Sequence, residues 1–137
     1  MPELPLTGGC LCGGVRFEVT EPLVSAGYCH CTRCQRRTGT AAAASGRVAP
    51  GALRIVAGAD LVREYAPEEG FLKCFCSACG GALWSRHRTE DTVSVRLGAV
   101  DGDPVIRPQW HQFTAYAAPW EPIPDDGLPR YPEAKPS

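Results

Sequence analysis

Apolar positions in this chain fall into short runs that mostly alternate with polar ones. Val15, Phe17 and Val19 alternate with Arg16, Glu18 and Thr20, which predicts a half-buried strand ending at Glu21 and Pro22. Residues 92–97 alternate just as clearly, and shorter strands are predicted at 53–56, 61–65, 72–75 and 82–85, separated by Gly, Asp and Pro. A last extended segment is expected within 110–116, after a turn at Asp101, Gly102 and Asp103. Residues 40–45, Thr-Ala-Ala-Ala-Ala-Ser, favour a helix by propensity but lie between Gly39 and Gly46. An isolated helix needs roughly a dozen residues to hold in water, so this run is read as a buried strand. The one helix expected is residues 32–38, with Gly39 as its stop.

Composition agrees with a β-rich chain. Fifteen glycines and thirteen prolines in 137 residues favour turns over long helices. That length suits one domain with a modest core, and residues 1–137 are read as a single domain whose proline-rich tail, 119–137, wraps the surface. Fourteen basic against 15 acidic residues give no basic excess for nucleic acid. No run approaches the ~18 apolar residues of a membrane span, and the first residues lack the pattern of a signal peptide. A reducing cytoplasm is therefore expected, where thiols stay free or bind metal.

All eight cysteines fall in three groups: Cys10 and Cys12; Cys29, Cys31 and Cys34; and Cys74, Cys76 and Cys79. In an extended segment, side chains at i and i+2 share a face, so Cys10 and Cys12 can address one ion. Cys76-Ser77-Ala78-Cys79-Gly80 has zinc-knuckle spacing, which supplies two of four tetrahedral ligands. Cys10 and Cys12 are its natural partners, with disulfides or an iron–sulfur cluster as the alternatives. Cys29, Cys31 and Cys34 remain, with Cys74. Three ligands and an open position are the pattern of a catalytic zinc, whereas Cys74 as a fourth would close the site. An electron-rich tris-thiolate zinc suits chemistry at sulfur. Arg33, Arg36 and Arg37 either meet a substrate carboxylate or form a solvated helix face. His30 points away from the metal by alternation and is read as a packing residue. His87 and His111 have no partner spacing and are read as structural or exposed, and Trp84, Trp110 and Trp120 as packing residues.

Gly9-Cys10-Leu11-Cys12-Gly13 with Val15-Arg16-Phe17, Cys29-His30-Cys31-Thr32-Arg33-Cys34 with Thr38-Gly39, and Phe75-Cys76-Ser77-Ala78-Cys79-Gly80 together resemble the glutathione-dependent formaldehyde-activating enzyme family, which includes centromere protein V-like proteins. The stretch from Trp120 to Tyr131 looks like the family's ending, so the likeness spans about residues 7–131. The resemblance implies a mainly β fold of packed antiparallel sheets stabilised by zinc. It implies a structural zinc on Cys10, Cys12, Cys76 and Cys79, and a catalytic one on Cys29, Cys31 and Cys34. The type reaction joins formaldehyde and glutathione into S-hydroxymethylglutathione and is grouped with carbon–sulfur lyases. A reading of a different class is a zinc-stabilised binding module with both metals structural. A third is a redox switch formed by Cys31 and Cys34.

Overall fold

The computed structural model describes residues 3–136 and is mainly β. Among the described residues, ten strands form two sheets. The smaller has the order β1 (Leu6–Gly9), β2 (Arg16–Val19), β5 (Leu53–Ala57). The larger begins with β10 (His111–Gln112), β3 (Ser25–Cys29), β4 (Ala43–Val48) and β9 (Val93–Arg96), then continues through β8 (Ala82–Arg86) and β7 (Leu72–Cys76) to β6 (Val62–Tyr65). Every strand pair is antiparallel except β10 with β3.

Strand alternation gives the seven-stranded sheet two unlike faces. In register across β3, β4, β9, β8 and β7 lie Ala26, Gly46, Val95, Trp84 and Cys74, all buried. This face packs against the small sheet, where Phe17 meets Trp84 edge-to-face with centroids 5.6 Å apart. Val15, Val19, Leu83 and Val95 complete the dry centre. The opposite face carries Gly27, Ser45 and Arg96 in one register row, and Ser25, Arg47, Ser94, Ser85 and Lys73 in the next. That face is polar, yet Ser85 and Arg96 are buried. It is the floor of a cleft.

The helix α1 (Thr32–Thr38) follows β3 directly and has the predicted bounds. Gly39 ends it at φ 69°, with its N–H on the Gln35 carbonyl at 2.8 Å, the left-handed cap that glycine adopts without a steric penalty. The predicted 40–45 strand is shifted to Ala43–Val48, where it pairs between β3 and β9. Only His111–Gln112 of the expected 110–116 segment is strand, followed by a 3₁₀ turn at Thr114–Tyr116. The end of the chain runs along β10: His111 N–H donates to the Pro129 carbonyl at 2.9 Å and Tyr131 N–H to the His111 carbonyl at 2.8 Å.

Candidate metal centres and a basic cleft

Two local devices shape the first cysteine group. In the β1–β2 loop, Gly13 N–H returns to the Cys10 carbonyl at 3.2 Å, and Val15 N–H points at Cys10 Sγ at 3.2 Å. In the β7–β8 turn, Gly80 N–H donates to the Cys76 carbonyl at 2.8 Å and Cys76 N–H to the Gly81 carbonyl at 3.0 Å. Both turns aim their thiols at one point. The Sγ atoms of Cys10, Cys12, Cys76 and Cys79 all lie within 4.8 Å of one another, with Cys10–Cys12 at 3.6 Å and Cys12–Cys76 at 3.9 Å. Zinc–sulfur bonds of about 2.3 Å put tetrahedral sulfurs about 3.8 Å apart, so this donor set fits zinc. Burial acts to raise Cys10, but the Val15 amide and the neighbouring thiols outweigh it and bring the thiol down to about 6.

The second group is made where β3 turns into α1. Cys29 ends the strand, Cys31 is the helix N-cap with its Sγ accepting from Cys34 N–H at 3.3 Å, and Cys34 sits buried in the first turn. Their three sulfurs also lie within 4.8 Å of one another. Hydrogen bonds from Cys29 and then Cys34 hold Cys31 well below the ordinary thiol range, while the same contact with Cys31 pushes Cys29 up. Three convergent thiols are donors that a thiophilic divalent ion can take by displacing their protons, so the donor chemistry fits a metal here too.

Cys74 does not join the trio. Its Sγ is directed at Glu64 Oε2, 3.4 Å away, and Glu64 is held by Arg86. Burial, followed by the Glu64 contact, pushes this thiol up to about 12.

The trio opens on a cleft of about 510 Å³. Arg33, Arg47, Lys73, Arg96 and Lys135 line it, and among the described residues no carboxylate does. Arg96 is anchored across the sheet, donating to Ser45 Oγ and, at 3.0 Å, to Ser85 Oγ. Burial lowers both Lys73 and Arg96, and the thiol charges of Cys31 and Cys34 act to raise them. The three arginines singled out in the sequence are placed differently from one another. Arg33 lines the cleft but donates to the Glu69 carbonyl at 2.6 Å. Arg36 is exposed. Arg37 turns inward to the Cys74 carbonyl at 2.6 Å, and burial followed by Arg96 lowers it to about 10. All three line a neighbouring groove of about 460 Å³, which meets the cleft at Arg33 and Lys73.

His30 is buried and faces away from the trio, as alternation indicates. Its Nε2 lies 2.8 Å from His111 Nδ1, and His111 Nε2 lies 2.8 Å from Asp126 Oδ2. The carboxylate can only accept, so His111 donates to it from Nε2 and accepts from His30 at Nδ1. This chain of contacts ties the segment carrying the trio to β10 and the tail. His87, also without partner spacing in the sequence, packs edge-on against Phe71 with ring centroids 5.4 Å apart.

The profile of the glutathione-dependent formaldehyde-activating enzyme family matches residues 5–116. The chain belongs to that family. A Halomonas elongata protein provisionally named as a glutathione-dependent formaldehyde-activating enzyme is 31% identical over 105 residues, 72% of this chain and 67% of that relative. The crystal structure of a Rhodobacter sphaeroides protein superposes with a TM-score of 0.59 at 25% identity, covering 91% of this chain and 98% of the other. The family match stops before the Trp120–Tyr131 stretch.

Proposed function

We propose that this chain is a zinc enzyme that makes and breaks a carbon–sulfur bond on a small acidic thiol, with glutathione plus formaldehyde as its reaction. One zinc holds the fold together at Cys10, Cys12, Cys76 and Cys79. The other is held by Cys29, Cys31 and Cys34. When bound there, zinc supplies a Lewis acid that keeps an incoming thiol deprotonated at neutral pH. The thiol sulfur attacks the aldehyde carbon, the C=O π bond breaks as the C–S bond forms, and the oxygen takes up the proton the thiol released, becoming the hydroxyl of the hydroxymethyl group. Lys73 and Arg96 offset the thiolate charge and the developing oxyanion beside the trio. Arg47 and Arg33 meet the carboxylates of the thiol.

The observation carrying this reading is the pairing of an open three-thiol cluster with a cleft whose charged side chains are all cationic. The same cluster weighs against two structural metals, because Cys74 faces Glu64 and leaves the trio at three ligands. All eight thiols are free, which suits the cytoplasm. No helix among the described residues is long and apolar enough to cross a membrane.

The test is a zinc-replete assay of thiol and formaldehyde consumption, with Cys34→Ser as the control. The wild type is expected to consume the two in a one-to-one ratio while Cys34→Ser falls to the uncatalysed rate. Equal rates for the two proteins would remove the catalytic reading.

A further inference from the structure

The C-terminal end of the chain lies beyond the family match, yet it forms a wall of the cleft. Ala134 and Lys135 line the same cavity as Cys29, Cys31 and Cys34. Besides the His111 contacts, further hydrogen bonds hold the segment there. Phe113 N–H donates to the Glu133 carbonyl at 2.9 Å and Thr114 N–H to the Tyr131 carbonyl at 3.0 Å. Lys135 N–H donates to Gln112 Oε1 at 3.0 Å. Gln112 is in turn the register partner of Cys29. A short path therefore runs from a thiol of the trio through β10 to the end of the chain.

The side chain of Lys135 is placed as well as its backbone. Its ammonium stands over the Trp110 ring, 5.0 Å from the centroid, a cation–π arrangement. Trp110 is itself fixed, because its indole lies so close to β3 that a Cβ on Gly27 would collide with it. An ammonium held on an aromatic ring, at the wall of a cleft lined among the described residues by cations and by no carboxylate, is an anion contact at a set position. Lys135 Nζ also donates to the Pro136 carbonyl at 3.0 Å, and the residue lines the cavity.

We propose that Lys135 is a specificity-determining residue that receives a carboxylate of the thiol substrate, and that residues 129–136 are the wall that presents it. This rests on the thiol reading of the trio. The charge selects an acidic thiol over a neutral one of similar reactivity, and because it belongs to the wall and not to the thiol cluster, it acts on binding.

The zinc-loaded full chain is compared with Lys135→Ala, Lys135→Arg, Lys135→Glu and a chain ending at Glu133. Rates are measured with formaldehyde and either glutathione or the neutral 2-mercaptoethanol, and S-methylglutathione binding is measured by calorimetry. Lys135→Ala is expected to raise KM for glutathione about fivefold, the scale of one partly exposed charge contact. The truncated chain should match it, Lys135→Glu should exceed it, and Lys135→Arg should restore the wild-type value. The preference for glutathione over 2-mercaptoethanol should fall by the same factor, with kcat for glutathione within about twofold because the contact is made equally before and during reaction. The S-methylglutathione Kd should follow the same order. Equal losses with both thiols, or no loss with glutathione, overturn the proposal. Charge-dependent S-methylglutathione binding without turnover supports Lys135 and sinks the lyase reading. A wild-type chain that neither binds nor turns over sinks both.

Discussion

Val105 holds φ at 73° although its side chain is β-branched. That region costs an L-residue about 1–2 kcal/mol, and here the Asp103 carboxylate maintains it by accepting Val105 N–H at 2.8 Å. The side chain is 49% exposed, so little packing is lost on its removal. Val105→Gly should raise stability by about 0.5–1 kcal/mol after glycine's entropy is subtracted, read as a higher urea midpoint at unchanged slope. Cys74→Ala separates structure from ligation. It should leave metal content at two zinc ions per chain by elemental analysis, while costing about 1 kcal/mol for a small buried void. Loss of one zinc would return Cys74 to the trio as a ligand. At this scale the thiols and Arg33 were legible in the sequence, and Lys73 and Arg96 were not. Cysteine spacing is a local signal, and it picked out the two groups whose sulfurs converge. Lys73 and Arg96 come from strands β7 and β9, and only sheet register brings them beside a cluster on β3 and α1. The one available hint was the regularity of residues 92–97, whose polar half reads as a solvent face and is the cleft floor.

Elements defined by local chemistry were read more closely than elements defined by pairing. The helix α1 stands at its predicted bounds because Cys31 caps it and Gly39 stops it, both within a few residues. The strand β4 was displaced because its poly-alanine start has no side-chain pattern, so register with β3 and β9 decides where pairing begins. β1, absent from the strands the alternation predicts, forms because Leu6–Gly9 can pair with all of β2. The shortness of β10 has a local cause, since Phe113 leaves the strand at φ 56°. Strand β3 gives an element-scale prediction. Gly27 leaves room for Trp110, and Gly27→Ala should force the indole outward at a cost of about 1–3 kcal/mol. The near-ultraviolet circular dichroism of the tryptophans should change while far-ultraviolet strand signal and zinc content stay constant. An unchanged near-ultraviolet spectrum would mean that Trp110 is not seated on the strand.

For the molecule as a whole, the two thiol clusters would give a bound metal unequal structural roles. Cys29, Cys31 and Cys34 lie within one strand–helix junction, so a metal there closes only a short loop. Cys12 and Cys76 are 64 positions apart, and their site joins the β1–β2 loop of the small sheet to the β7–β8 turn of the large one. A covalent crosslink over that length offsets about 4 kcal/mol of unfolded-chain entropy, and metal binding contributes to folding on top of it. Cys79→Ser should therefore lower the melting temperature far more than Cys34→Ser, although each removes one thiol. Chelator should separate the two centres in the wild type. The three-ligand zinc should leave first, abolishing turnover with little change in melting temperature, and the four-ligand zinc should leave later as the chain unfolds. Calorimetry run alongside a zinc-release indicator shows the order directly. Simultaneous loss of both ions with a single unfolding step would mean that the trio, too, holds the sheets together.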